Sequence, residues 1–483
     1  MRVAIVHYHL RRGGVTRVIE NAVAALGPEV ECVVLSGEAY AGDALPKVVV
    51  VDGLGYRKTA GPDDPARLAA NLRSAARDAL GGEPDLWHIH NHSLGKNVAF
   101  PAALTGLLCQ GQRALLQIHD FAEDGRPANY AAQQAFLRKT EDAGGQTTLY
   151  PSAPQIHYAA LNARDARILR SAGVPADRCH TLPNAVSVPK TGDDPADPLP
   201  GEGPLFLYPT RAIRRKNIGE VALYGAVAAK LGRSALFATT LAPENPDWKA
   251  LHEEWVAFAR AHSLPVRFGL GDDPSVSFPA LIHRAEALMT TSVAEGFGLA
   301  FLEPWLFGKG VCGRNLPEIT ADFGENGVRL DGLYARLPVC LNPREEKDLL
   351  AALEKGLAAA FAAYDRTLPS DALERTQSAL QSEEGYDFGG LPEPLQRAVI
   401  ERVLSQGPTA ALEASLPTSA PARLIESNRA AISSKYSLDA YGGRLRDLYK
   451  AILNAPASAP GAHSAETILD RFLSPERFSL LRQ

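Results

Sequence analysis

Two carboxylates bracket a pair of glycines in Glu295-Gly-Phe-Gly-Leu-Ala-Phe-Leu-Glu303, just after the apolar-to-polar passage Ala287-Leu-Met-Thr-Thr-Ser-Val293. Gly296 and Gly298 leave the amides from Gly296 through Phe297 to Leu299 open to an oxygen-rich ligand. A carboxylate suits vicinal hydroxyls, because each of its oxygens accepts from one of them. Glu295 and Glu303 are eight residues apart, slightly over two helical turns, so they are expected on one side of one element leading into a helix through Leu306. The bland alternative is a first-turn helix glutamate followed by an exposed one. Leu302, Pro304 and Trp305 around Glu303 argue against an idle surface position.

Cations crowd Arg211-Ala-Ile-Arg-Arg-Lys216-Asn217, ahead of an expected helix start, where they could neutralise a diphosphate. A solvated charge run is the default for such a stretch. Its place at a strand-to-helix turn, where ligands of doubly wound sheets bind, favours the ligand. A second turn, His7-Tyr-His-Leu-Arg11-Arg12-Gly13-Gly14-Val-Thr-Arg17, pairs two glycines with two arginines and suits an anionic or oxygen-rich neighbour. His88, His90 and His92 alternate in His-Ile-His-Asn-His, which puts them on one face if the strand extends that far. No cysteine or carboxylate ligand is fixed nearby, so hydroxyl-binding side chains are preferred to a zinc site. His119-Asp120 closes an apolar strand and is expected in a cleft rather than in the core.

The elements that must position these groups alternate along the chain. Strand-length apolar runs are Val3–Val6, Cys32–Leu35, Lys47–Val51, Leu86–His90 and Ala114–Ile118, with helical patterns between them, such as 65–80. After the Pro-, Gly- and Asp-rich stretch 186–204, read as a linker, the alternation restarts. Its pieces are strand 205–208, helix 218–231, strand 234–240, helix 248–262 and strand 266–268. Nearly continuous apolar strands separated by helices indicate α/β architecture with parallel, doubly wound sheets. Further on, 345–364, 428–453 and 468–481 show helical spacing, while 371–420 reads as a helical insertion or a mobile segment.

The 483 residues exceed what one core organises and suit two domains. A net charge of -5 speaks against a nucleic-acid partner. Five scattered cysteines without a C-x-x-C pair argue against a disulfide framework and fit a reducing cytoplasm. Neither a signal peptide nor a membrane span is expected, which leaves only peripheral membrane contact open.

Taken in order, these residues resemble the retaining glycosyltransferases of family 4. The matching pieces are Gly13-Gly14-Val15, Asp85-Leu-Trp-His-Ile-His-Asn91, Ile118-His119-Asp120, Leu182-Pro-Asn184-Ala-Val186, Arg211 with Lys216, Glu295-Gly-Phe-Gly-Leu299 with Glu303, and Leu316-Pro-Glu318. They span most of residues 1–345, and Tyr436-Ser-Leu with Leu448-Tyr449 is similar to the closing segment of such chains. The resemblance implies a GT-B fold of two facing Rossmann-like domains: 1–190 on the acceptor side and 204–365 on the nucleotide-sugar side. A helical insertion (366–427) and C-terminal helices (428–483) that cross back onto the first domain would complete it. It implies hexose transfer from a nucleoside-diphosphate sugar, UDP- or GDP-linked, to a small or lipid-linked hydroxyl acceptor, with no metal and no cofactor. His119 and Glu295 would be catalytic. Gly13, Gly14, Arg211, Lys216, Gly296, Phe297, Gly298, Leu299 and Glu303 would bind the donor. Arg11, Arg12, His90, Asn91, Lys96 and Asp120 would face the acceptor, and Arg126 with Lys96 hints at a charged one.

The chain departs from the usual pattern at Lys216-Asn217, Pro183-Asn184-Ala185, the turn 239–245 and Gly308-Lys-Gly-Val311. None of these removes a residue with a chemical role, although the 239–245 turn bears on base selectivity. Two rival readings are a GT-B sugar phosphorylase or epimerase, and a non-catalytic sugar- or nucleotide-binding protein. Intact Glu295, Glu303, Arg211, Lys216 and His119 speak against the second. The sequence assigns neither the sugar, the base, the acceptor nor the oligomeric state.

Overall fold

The computed structural model describes residues 1–142, 148–188 and 203–482. Most of the expected linker therefore lies outside the described residues. The chain divides into two compact units. Unit one comprises Met1–Ala185, Ala363–Arg366 and Lys435–Ser474; unit two comprises Val186–Ala362, Thr367–Ser434 and Pro475–Gln483.

The sheet of unit one contains β1 (Arg2–His7), β2 (Glu31–Ser36), β3 (Val48–Val50), β4 (Leu86–His90), β5 (Ala114–Ile118), β6 (Ile156–Ala160) and β7 (Cys179–Thr181). Their order is β3-β2-β1-β4-β5-β6-β7, parallel throughout. Successive residues of β1 serve opposite faces. Ala4 and Val6 join the core beneath helix Asp64–Leu80, while Val3 and Ile5 pack with Tyr441, Leu445, Tyr449 and Ile452 of helix Leu438–Asn454. Both faces are covered, so the strands read as unbroken apolar runs. Helix Leu438–Asn454 lies close along helix Gly14–Leu26, because Gly442 carries no Cβ: one there would meet the Ala25 carbonyl oxygen at 2.3 Å.

The sheet of unit two contains β8 (Leu205–Arg211), β9 (Leu236–Leu241), β10 (Val266–Arg267), β11 (Ala285–Thr290), β12 (Gly310–Arg314) and β13 (Leu333–Tyr334). It is ordered β10-β9-β8-β11-β12-β13 and is also parallel. In each sheet the strand order reverses once, between β1 and β4 and between β8 and β11, and ligands of doubly wound sheets bind at such reversals.

The 371–420 stretch forms helices Ala372–Leu380, Glu393–Gln406 and Ala410–Ala414. Leu395, Val399, Ile400 and Val403 of the second pack into the core of unit two against helix Ile218–Lys230. A buried ion network fastens this stretch to the sheet. Arg314, at the end of β12, donates to Glu220 Oε2 at 2.6 Å and to Asp387 Oδ2 at 2.7 Å. The Tyr334 hydroxyl also donates to Glu220 at 2.6 Å.

Two helical readings need correction. The 428–453 pattern is two helices, Ala422–Lys435 and Leu438–Asn454, because Ser437 caps the second by accepting from the Ala440 amide at 3.3 Å. The 468–481 pattern is helix Ala465–Phe472 followed by short 3-10 turns at Pro475–Arg477 and Leu480–Arg482.

Candidate functional site

In unit two, the turns leaving β8 and β11 meet at the carboxyl edge of adjacent strands. Lys216 Nζ donates to Glu295 Oε1, and Arg215 donates to Glu295 Oε2 at 3.2 Å. The Ser292 hydroxyl donates to Glu295 Oε1 at 2.6 Å and is itself within 2.6 Å of the Tyr208 hydroxyl. Backbone bonds lock the two turns together: Val293 N–H to the Arg215 carbonyl at 3.0 Å, and the Thr291 hydroxyl to the Lys216 carbonyl at 2.8 Å. Burial alone would push the Glu295 carboxyl up, but Lys216 and Arg215 outweigh it and hold the acid below its ordinary value. The carboxylate is therefore charged at neutral pH, with lone pairs left to accept from hydroxyl groups.

The cation run separates by role. Arg214 makes a two-pronged pair with the buried Glu393 at 2.6 and 2.8 Å, which ties the β8 turn to helix Glu393–Gln406. Arg211 bonds the Ala242 carbonyl at 3.2 Å and the exposed Glu244 at 2.9 Å, so it leans onto the 239–245 turn. Asn217 adopts φ 50°, a left-handed conformation open to glycine and asparagine, and its amide bonds Glu220 at 2.8 Å. That conformation accounts for asparagine where the resemblance leads one to expect glycine.

Glu295 and Glu303 do not share one helical element, which corrects the reading from spacing. Between them lie the left-handed Gly298 (φ 94°), a 3-10 turn (Leu299–Phe301) and only then the short helix Glu303–Leu306. Gly298 is required twice over: its φ favours glycine, and a Cβ there would sit 3.0 Å from both Ile319 and Phe301. Phe297 is buried edge-on against Phe323, so side-chain bulk is withdrawn from this turn while Gly296 stays exposed.

In unit one, β1, β4 and β5 end side by side. His90 Nδ1 lies 2.8 Å from His119 Nε2 with the rings stacked, and His88 bonds the Tyr449 hydroxyl at 2.8 Å and Gln117 at 2.9 Å. The alternation of histidines ends at His90. Asn91 takes φ 55°, and His92 turns to the Leu149 carbonyl at 3.0 Å, so the three histidines do not share one face. Asn91 Oδ1 accepts the amides of His119 (2.7 Å) and Asp120 (3.1 Å) and thereby shapes the His119–Asp120 turn. His90, Asn91 and His119 are all buried, while Asp120 is half-exposed and pairs with Arg126 at 2.7 Å.

Burial pushes His119 and His7 down to about 3, and His88 and His92 down to about 4, so all four are neutral near pH 7. With its Nε2 engaged by His90, His119 has Nδ1 left for other partners.

Gly13 is extended and Gly14 opens helix Gly14–Leu26, whose first turn has neither an acidic residue nor a capping side chain. Arg11 and Arg12 are exposed, and Arg11 pairs with Glu38 at 2.6 Å. Lys96 stands over the ring of Tyr56, 5.0 Å from its centroid. Among the described residues, no group of three or more His, Cys, Asp or Glu is placed to hold a metal ion, and no helix is long and apolar enough to cross a membrane.

Ser292 and Tyr208 around Glu295, and Tyr56 near Lys96, were not singled out from sequence, while Arg215 and His9 figured there only as members of their runs. The i, i+3 spacing of Ser292 and Glu295 was a usable local signal; the Tyr56 contact depends on a loop path that no spacing reveals.

No family model matches the chain. A curated relative, the mannosylglucosyl-3-phosphoglycerate synthase of Petrotoga mobilis, is 29% identical over 370 residues, which cover 71% of this chain and 70% of the relative. Among solved structures, a glycosyltransferase from Rickettsia africae superposes with a TM-score of 0.53 at 13% identity, covering 94% of this chain and 98% of that one. The N-terminal domain of a Candida albicans trehalose-6-phosphate phosphatase gives 0.50 at 11%, covering 93% and 97%. The structural likenesses concern the fold, which is α/β of the GT-B class, and the sequence likeness is to a glycosyltransferase.

Proposed function

We propose that the chain is a retaining glycosyltransferase that moves a hexose from a nucleoside-diphosphate sugar to an acceptor hydroxyl without a metal. The observation that carries this reading is the Lys216–Arg215–Ser292 clamp on Glu295 at the strand-order reversal of unit two. In this reading Lys216, helped by Arg211, neutralises the donor diphosphate. Glu295 and the amides of Phe297 to Leu299 hold the hexose hydroxyls, and Glu303 holds those of the ribose. Gly13 and Gly14 at the helix start offer further amides to the donor. His119, neutral and oriented by His90 and Asn91, hydrogen-bonds near the anomeric centre.

In the transfer, the bond from the anomeric carbon to the diphosphate oxygen breaks, and its electron pair leaves on the phosphate. The acceptor oxygen bonds to the same face, and its proton passes to the departing phosphate oxygen. Fixed cations and amides facing that developing charge supply the catalysis, so no separate general base is needed. The relative's name contains a phosphoglycerate, and an acceptor bearing an acidic group is the matching expectation here.

Thermal unfolding with UDP, GDP, ADP or inorganic phosphate tests the donor side. A ligand at about 100 times its Kd stabilises the folded protein by about 2.7 kcal/mol. A nucleoside diphosphate should raise the midpoint in the wild type and much less in Glu303→Ala. A response to phosphate alone would favour the phosphorylase reading, and no response to any of the four would overturn both.

A further inference from the structure

Tyr56 is 46% exposed, one of three large hydrophobic residues among those described that stand so far into solvent. Its loop is nonetheless firmly built. The fully buried Asn97 shares its two amide protons among the carbonyls of Gly53 (2.7 Å), Leu54 (3.2 Å) and Gly55 (2.8 Å). Backbone bonds from Arg57 N–H to the Lys96 carbonyl (2.7 Å) and from Val98 N–H to the Arg57 carbonyl (3.0 Å) complete the clasp. The Tyr56 hydroxyl lies 2.8 Å from His9 Nε2, and its ring meets Tyr8 edge-on at 5.8 Å.

Over this ring stands Lys96, half-buried, with no carboxylate in salt-bridge reach among the described residues. Its nearest charged neighbours are mostly cations. Partial burial, Arg126 and Lys58 each disfavour its charge, and only Asp120 opposes them. A rigid, exposed aromatic ring beneath a cation without a counter-ion offers two complementary contacts: an apolar face for a ring or carbon chain, and a charge for an anion.

We propose that Tyr56, His9, Lys96 and Arg126 form an acceptor subsite for a small molecule that carries a phosphate or carboxylate beside a polyol or sugar. Lys96 takes the anion, supported by the charge of the half-exposed Arg126, which itself pairs with Asp120 at 2.7 Å, and the Tyr56 ring packs on the carbon skeleton. The word acceptor rests on the glycosyltransferase reading; the anion site itself does not. Selectivity for an acidic acceptor would then reside in unit one, in a loop held by Asn97.

Calorimetric titration with 3-phosphoglycerate at low salt, with glycerol as the neutral control, tests the subsite directly. Lys96→Met should weaken 3-phosphoglycerate binding by about 10-fold or more, as expected for losing one charge-assisted contact. Tyr56→Ala should weaken it less, and glycerol should bind none of the proteins. Nucleoside-diphosphate stabilisation should be unchanged in both variants, which also checks that they fold. Equal binding of 3-phosphoglycerate to wild type and Lys96→Met, or none to the wild type, would overturn the subsite while leaving the donor reading standing. Lys96-dependent binding in a protein that ignores every nucleoside diphosphate would keep the subsite and sink the donor reading.

Discussion

Acidification should unfold unit one well before ordinary acid denaturation, and the size of the effect follows from its buried histidines. His7, His88, His90, His92 and His119 are each held below the ordinary value of 6.5, burial being the largest cause in every case. Their mutual repulsion (His90 against His88, His119 and His7; His7 against His119 and His9) adds to it. A group with a depressed folded value contributes stability that is full above its unfolded value and is lost as pH falls toward the folded one. Between pH 7.5 and 5.5 each such histidine costs on the order of 1 kcal/mol, and the cluster costs several kcal/mol in all. The buried Glu123, hydrogen-bonded by Tyr150, has the opposite sign: burial raises it to about 7, so its contribution is full below 4.5 and lost as pH rises through 7. It returns part of this over the same interval, leaving a net loss of several kcal/mol. That matches the whole stability of many domains, about 5–15 kcal/mol. Hydrogen exchange corrected for intrinsic rates and resolved to 86–90 and 114–118 reads it strand by strand. A change below about 1 kcal/mol would refute the assignment of these histidines as buried and neutral. His92→Gln should lower the proton uptake of unfolding at pH 5.5 by about one.

Other substitutions probe the remaining parts. Arg314→Ala leaves Glu220 and Asp387 buried without their cation and should cost about 3–5 kcal/mol in urea unfolding, with early exposure of 385–406 to proteolysis. Asn97→Ala removes the partner of three loop carbonyls; it should cost about 1–3 kcal/mol and speed hydrogen exchange of 53–58 while sparing 86–90. Lys216→Ala should lower turnover more than donor affinity, whereas Glu303→Ala should mainly weaken donor binding; initial-rate kinetics with varied donor separate the two.

The sheets were legible because both faces of each are covered. Val3–Val6, Leu86–His90 and Ala114–Ile118 carry the unbroken apolar signal of strands buried on two sides, and their boundaries changed little. Spacing misled where backbone conformation broke the period. Gly298 interrupts the path from Glu295 to Glu303, Asn91 ends the histidine alternation, and Ser437 starts a new helix inside one continuous pattern. Charge composition misled where partners are remote in sequence. Nothing near Arg214 announces Glu393, and nothing near Arg314 announces Asp387, so both arginines belong to packing between distant segments. The clamp on Glu295 was half readable: its cations and carboxylate were evident separately, but the chain had to fold for Ser292 and Tyr208 to join them.

The proposed reaction is transfer of a hexose from a nucleoside-diphosphate sugar with retention. The most direct test incubates the protein with a pool of nucleotide sugars and acidic acceptors, identifies products by mass, and determines the new anomeric configuration by NMR. One acceptor heavier by a single hexose unit, a matching yield of nucleoside diphosphate, and the same anomeric configuration as in the donor are expected. An inverted linkage would contradict the same-face mechanism, and the absence of any transfer from every nucleotide sugar would contradict the assignment as a whole.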